Sequence, residues 1–446
     1  MARTLVTHAR LLALHPGAEL LDDVTLVLEG DRIASILPEP AAADAHAEVI
    51  DAGGALVLPG LVNAHTHTYS ALARGFPRPV RARDFAALLH ELWWRLDAAL
   101  DLEDVRLSAA LSARDGLRSG VTLVFDHHAS YGAIESSLDA VADGLASAGQ
   151  RGVLCFEVSD RAGEAAACTA LQENERFAAE FPDRPGIAGA MLGLHASFTL
   201  SDATLERAVE TARRTALRMH VHLAEDPVDH VAGATAGSGV VERLERFGLL
   251  QPGALAAHAI HIDDAERRRL AARGVIVVHN PRSNMNNGVG RCDLPALVRA
   301  GVQVALGTDG YGAGLLAEAR VGVLVQRQMP RLGDGEVLRE CLVDANTDLA
   351  SRFVPGLGRL SPGCPADVVV TRYVPPTPLR SANAWSHLVF GEVEKNLRAV
   401  FVAGERVVDD GRSTRLDDAE LESACRERAR ALWERIDGAA AREGER

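Results

Sequence analysis

Lysine is nearly absent from this 446-residue chain: Lys395 is the only one, although arginine is abundant. The bias removes one kind of metal chemistry, because a carboxylated lysine bridging two ions needs a lysine inside the fold. No CxxC pair occurs among the six cysteines (155, 168, 292, 341, 364 and 425), so neither a thiolate zinc site nor a disulfide framework is expected. Basic runs with interleaved aromatics are also missing, and the net charge is −14. That balance argues against nucleic acid and anionic membranes as partners. Long apolar runs are lacking too. The patch Leu11–Leu14 before His15-Pro16-Gly17 is too short for a secretion signal, and no run approaches a membrane span. These absences leave an acidic, cytoplasmic protein that acts on a small molecule.

What is present is ample core material, with 47% hydrophobic and 24% charged residues. Residues 24–37 read as two β runs around Glu29-Gly30-Asp31, a hairpin signal. A third run near Ala55–Leu58 leads into Pro59-Gly60. Residues 366–373 and 397–409 repeat the style, the second with a turn at Ala403-Gly404-Glu405. Between them, short β-branched runs alternate with Ala/Leu/Arg/Glu-rich segments of helical spacing. The strand candidates are Leu61–Val62, Gly120–Phe125, Gly152–Glu157, Gly186–Leu194, Leu217–Leu223, Ala254–His258, Val275–His279 and Val302–Thr308.

Eight such units fit a (β/α)8 barrel, which needs about 250 residues. A doubly wound sheet is disfavoured, because no GxGxxG opens the first unit. The expected organisation is a small β-sandwich built from both termini (residues 1–58 with 355–415), a TIM barrel over 59–354, and a C-terminal surface helix with a frayed tail over 416–446.

Reactive groups of such a barrel belong at the C-terminal ends of its strands. His65 and His67 sit there after the first strand, and His222 with Glu225 after the fifth. His258 ends the sixth strand, His279 the seventh, and Asp309 follows the eighth. The HxH pair puts two imidazoles on one side of an extended segment. His222 adds a third nitrogen and Asp309 a carboxylate oxygen, leaving a place for water as catalytic zinc requires. His220 shares the face of His222, but only His222 gives an H-x-x-E spacing. Asp309 alone would read as a turn residue before Gly310. Glu225 can carry a proton to a ring nitrogen or leaving amine. His258, with His261 as the alternative, can stabilise a developing oxyanion. His279 is expected to orient the loop that follows. Asp126-His127-His128 and His195 should line the pocket, with His128 and His195 as substrate contacts.

The motifs PGLVNAHTH, HLAE, AAHAIH, VVHNPRSN and LGTDG resemble the amidohydrolase superfamily, in its cytosine deaminase-like and chlorohydrolase-like branch. HTHTYSALARGFP, LWWRLDAALDLEDV, VTLVFDHHAS, FEVSDRAG, GLHASFTLSD and HNPRSNMNNGVG are similar to SsnA-type aminohydrolases. The resemblance spans nearly the whole chain. It implies one divalent metal ion, zinc or else iron, held by His65, His67, His222 and Asp309, with Glu225, His258 and Asp309 as catalytic groups. It also implies hydrolytic release of ammonia from a small heterocycle such as a purine, pteridine, pyrimidine or triazine. Hydrolysis of a cyclic amide or a C–Cl bond at the same site is the alternative, and a non-catalytic barrel the remote one. A homo-oligomer is expected.

Overall fold

The computed structural model describes residues 3–14, 20–39, 46–76, 84–233, 239–328, 335–395 and 397–444. His15-Pro16-Gly17, Pro77 and the last two residues of the expected tail lie outside them.

Both chain ends build one nine-stranded sheet. The N-terminal part supplies β1 (Arg3–Leu12), β2 (Leu20–Glu29), β3 (Arg32–Pro38), β4 (Glu48–Asp51) and β5 (Leu56–Pro59). The barrel strands β6 to β14 come next in the chain. The C-terminal part then supplies β15 (Val368–Val370), β16 (Ala399–Val402), β17 (Glu405–Asp409) and β18 (Arg412–Ser413). The order is β18-β17-β16-β15-β5-β1-β2-β3, with β4 beside β1. Val368–Val370 therefore pairs with Pro59–Val57 on one edge and Phe401–Ala399 on the other.

Leu26, Leu28, Ile33, Val57, Val368 and Phe401 fill the core of this unit. The β2–β3 and β16–β17 turns fall at the expected places and rest on each other. Gly404 has φ +76°, and a Cβ there would come within 1.8 Å of the Gly30 carbonyl oxygen. Only glycine fits that approach.

The barrel contains β6 (Leu61–Thr66), β7 (Val121–His128), β8 (Arg151–Phe156), β9 (Ile187–Ala190), β10 (Leu192–Ala196), β11 (Met219–Leu223), β12 (Leu255–His258), β13 (Ile276–His279) and β14 (Gln303–Leu306). All pair in parallel. Strands β9 and β10 are two halves of the fourth barrel strand, broken at Met191, whose N–H donates to Leu154 O at 2.9 Å. Closure on one side comes from Thr308 and Asp309 N–H groups donating to His65 O, each at 3.0 Å. On the other, His195 N–H donates to Val158 O at 2.9 Å. Near-continuous apolar strands such as VTLVF follow from burial on both faces. Arg151, paired with buried Asp367 at 3.0 Å, ties the barrel to the terminal sheet.

The expected C-terminal helix is present over Asp418–Gly444. This helix docks on the helix Leu102–Leu117, which starts in a capping box between Asp101 and Asp104. Leu421, Leu432 and Ile436 are buried beneath it. Arg428 pairs with fully buried Asp104 at 2.9 Å, Arg435 reaches the same carboxylate, and Trp433 Nε1–H donates to Leu72 O at 2.9 Å.

Candidate metal centre

Four of the non-glycine residues with positive φ stand at the C-terminal mouth of the barrel: Ala224 (45°), His258 (77°), Ala259 (47°) and Asp309 (56°). Each marks a place where the chain turns sharply off a strand end. Strain of about 1–3 kcal/mol per residue is usual for such conformations, and it clusters at functional sites.

The orientation of three imidazoles is fixed from behind. His67 donates Nδ1–H to His127 O at 2.5 Å, and His222 donates Nδ1–H to His195 O at 3.0 Å. His65 Nδ1 lies 2.9 Å from His220 Nε2, while its own Nε2 is buried without a partner. In all three the Nε2 lone pair is thereby turned to the mouth. The Nε2 atoms of His67 and His222 are 3.1 Å apart. Asp309 Oδ1 lies 3.2 Å from His67 Nε2 and 3.8 Å from His65 Nε2.

Bare nitrogen lone pairs converging on a carboxylate need a cation among them, and three nitrogens with one oxygen suit a divalent metal ion. A proton would answer the same need, and the titration directions show that pull. Burial alone would lower the His67 pKa, yet the Asp309 carboxylate lifts it to about 9. Against the upward push of burial, the His67, His258 and His222 rings hold Asp309 far below the usual carboxylate range.

Glu225 and His258 sit beside this cluster. His258 Nδ1 is hydrogen-bonded to Asn284 Oδ1 at 2.8 Å, and its Nε2 is 3.5 Å from both Glu225 Oε2 and Asp309 Oδ2. Asn287 Nδ2 reaches Glu225 Oε1 at 3.3 Å. Burial pushes the Glu225 carboxyl up to about 7, opposed by the His258 ring. The loop is held from below by buried Asp229, which accepts from the backbone N–H of Ala224 at 2.8 Å and of Phe198 at 3.0 Å.

The site opens into a cleft lined by His67, His195, His222, Glu225 and Asp309, with aromatic walls of Trp93, Trp94 and Tyr311. His195, one expected substrate contact, is on this wall. His128, the other, is not. It is fully buried, donates Nε2–H to Ser130 Oγ at 2.9 Å, and packs edge-on against Tyr69. His261 donates to Val289 O at 2.6 Å, outside the cluster. His279 is buried with neither nitrogen partnered, and burial drives its pKa to about 3. Lys395 pairs with Glu392 at 2.6 Å in the C-terminal region.

Sequence reasoning assigned no function to His220 behind His65, nor to Asp97, Glu157 and Arg161 near the cleft. Glu157 had a signal, since it ends a strand candidate. Asp97 had none, because it reaches the cleft from the helix Trp94–Ala99.

The barrel and its mouth of histidines and carboxylates define a metal-dependent hydrolase. The chain belongs to the amidohydrolase family, whose model matches residues 56–407. It is 33% identical to a 5'-deoxyadenosine deaminase of Methanopyrus kandleri, covering 82% of this chain and 84% of the relative. A 5-methylthioadenosine/S-adenosylhomocysteine deaminase of Nitratidesulfovibrio vulgaris is 30% identical, with 94% of each chain covered. Among solved structures, an adenosine deaminase of Xanthomonas campestris with bound zinc superposes with a TM-score of 0.84 at 25% identity, covering 98% of this chain and 99% of that one. An atrazine chlorohydrolase of Arthrobacter aurescens complexed with zinc shares the fold, with a TM-score of 0.79 at 21% identity over 96% of this chain and 100% of that one.

Proposed function

We propose that this chain is a metal-dependent aminohydrolase that releases ammonia from an amino-substituted heterocycle, an aminopurine being the foremost candidate. The observation that carries the reading is the convergence of three bare imidazole nitrogens and Asp309, with Glu225 at their edge. His65, His67 and His222 through Nε2, with Asp309, would hold the ion. Zinc suits this donor set and accompanies the Xanthomonas neighbour, with iron as the alternative. When bound, such an ion supplies Lewis-acid polarisation and lowers the pKa of water.

The side chains do the rest. Glu225, pushed up to about 7 by burial, holds a proton that it can deliver to the ring nitrogen of an N=C–NH2 group. That makes the carbon electrophilic. Asp309 Oδ2 faces the same space and takes the proton released as water adds to the carbon. Asp309 then passes that proton to the amino group, the C–N bond breaks and ammonia leaves, and the proton of the new C–OH returns to Glu225 as the C=O forms. His258 Nε2, 3.5 Å from both carboxylates, stands where it can stabilise the developing oxyanion. Trp93 and Trp94 flank the space in which a flat ring would lie.

Ammonia release, measured on metal-reconstituted protein with aminopurines, pteridines, pyrimidines and triazines, tests the reading. Turnover of an aminopurine supports it. Hydrolysis of cyclic amides or C–Cl bonds without ammonia contradicts it.

A further inference from the structure

Apart from the metal cluster, the cleft wall carries a second group of buried charges. Asp97 and Glu157 both line the cleft and are 2% and 3% exposed. One guanidinium serves them both: Arg161 pairs with Asp97 Oδ2 at 2.5 Å and Glu157 Oε1 at 2.6 Å. It is turned back over the Tyr131 ring, 4.1 Å from the centroid, and is not among the cleft-lining residues. A ligand therefore meets the carboxylates and not the arginine. The second Glu157 oxygen faces His127 Nδ1 at 3.4 Å, the carboxylate lies within 4.8 Å of ring nitrogens of His67 and His222, and it keeps acceptor capacity. The two carboxylates take up the one guanidinium between them, so the group has no cation to offer an anionic ligand.

From this juxtaposition, and resting on the aminohydrolase reading, we propose that Glu157 is a specificity-determining residue. The cleft takes an uncharged or cationic amino-heterocycle that carries N–H or O–H donors away from the departing amine. It turns away molecules that place a phosphate or carboxylate there. A buried acceptor left unpaired, or met by a like charge, costs binding in a way that a polar rim would not. Trp94 and His195, packed edge to face at 71°, add an aromatic wall to the same cleft, in keeping with a ring system.

Matched pairs test this: adenosine against adenosine 5'-monophosphate, and pterin against pterin-6-carboxylate. On metal-loaded protein, kcat/KM for the uncharged member is expected to exceed that for the anion by about tenfold or more. In Glu157→Gln the ratio should shrink to within about threefold, with metal content unchanged. Trp93 and Trp94 line the cleft, so tryptophan fluorescence titration of the wild-type protein reads the same preference without turnover. Preference in binding without ammonia release supports this inference and contradicts the aminohydrolase reading. Ammonia release from charged and uncharged members alike overturns the inference and leaves that reading standing. A ratio unchanged in a Glu157→Gln protein of normal metal content, or no binding of either uncharged member, also overturns it.

Discussion

The Nε2 atoms of His67 and His222 face each other at 3.1 Å across the barrel mouth, with both Nδ1 atoms hydrogen-bonded to backbone carbonyls. Two lone pairs at that distance repel unless a proton or a metal ion stands between them. The backbone has thereby fixed both tautomers in the form a metal needs. The carbonyls of His127 and His195, on the second and fourth barrel strands, set the chemistry of rings on the first and fifth.

Glu225 is the proton carrier in this account. Glu225→Gln keeps the shape and the Asn287 contact but cannot release a proton. Metal content measured by mass spectrometry should match the wild type, while kcat falls by about 10²–10⁴-fold. Near-normal turnover would remove Glu225 from the mechanism.

His220 contributes through His65. Its Nε2 receives the His65 Nδ1 at 2.9 Å, and Cys155 Sγ lies 3.8 Å from its other nitrogen. His220→Ala should weaken metal affinity by about 10–100-fold in competition with a chelator, while saturating metal restores most turnover. Unchanged affinity would make His220 a packing residue only.

Asp229 gives a pH signature. Burial lifts its pKa to about 6 from 3.8, against the pull of the Ala224 and Phe198 N–H groups. The folded state therefore binds more protons than the unfolded state between pH 4 and 6, and stability falls as pH rises through that window. Asp229→Asn removes this dependence. Urea midpoints of the two proteins should diverge by the equivalent of about 3 kcal/mol between pH 4 and pH 7, the variant gaining relative stability. Parallel curves would contradict the assignment.

The docked C-terminal helix yields a stability prediction. Leu432 is fully buried beneath it, so Leu432→Ala should cost about 2–5 kcal/mol in chemical denaturation. A cost below about 1 kcal/mol, the range of an exposed site, would mean that the helix does not pack as described.

Much of the centre was legible because barrel chemistry is local to strand ends. His65, His67, His222 and Asp309 each stand at or within three residues of one, so strand candidates alone bring them to one mouth. His220 and His222 share a face, and the strand pattern could not say which meets the ion. The contacts separate them, His222 facing His67 and His220 backing His65. His128 was misplaced because the second strand runs three residues past its expected end, and the last of these turns toward Tyr69 and Phe156. Asp97 and Arg161 come from helical segments far apart in the chain, and no periodicity announces their meeting. The C-terminal helix was legible as a charged surface helix, but nothing in its sequence says what Arg428 and Arg435 reach. Their partner is the buried Asp104.

The most direct test is anomalous diffraction from crystals of the metal-loaded protein. One peak is expected, with Nε2 of His65, His67 and His222 and an oxygen of Asp309 each about 2.0–2.2 Å away. His127 and Glu157 form an overlapping group with His67 and His222. An ion resting on that pair instead, or two ions sharing the mouth, would contradict the account.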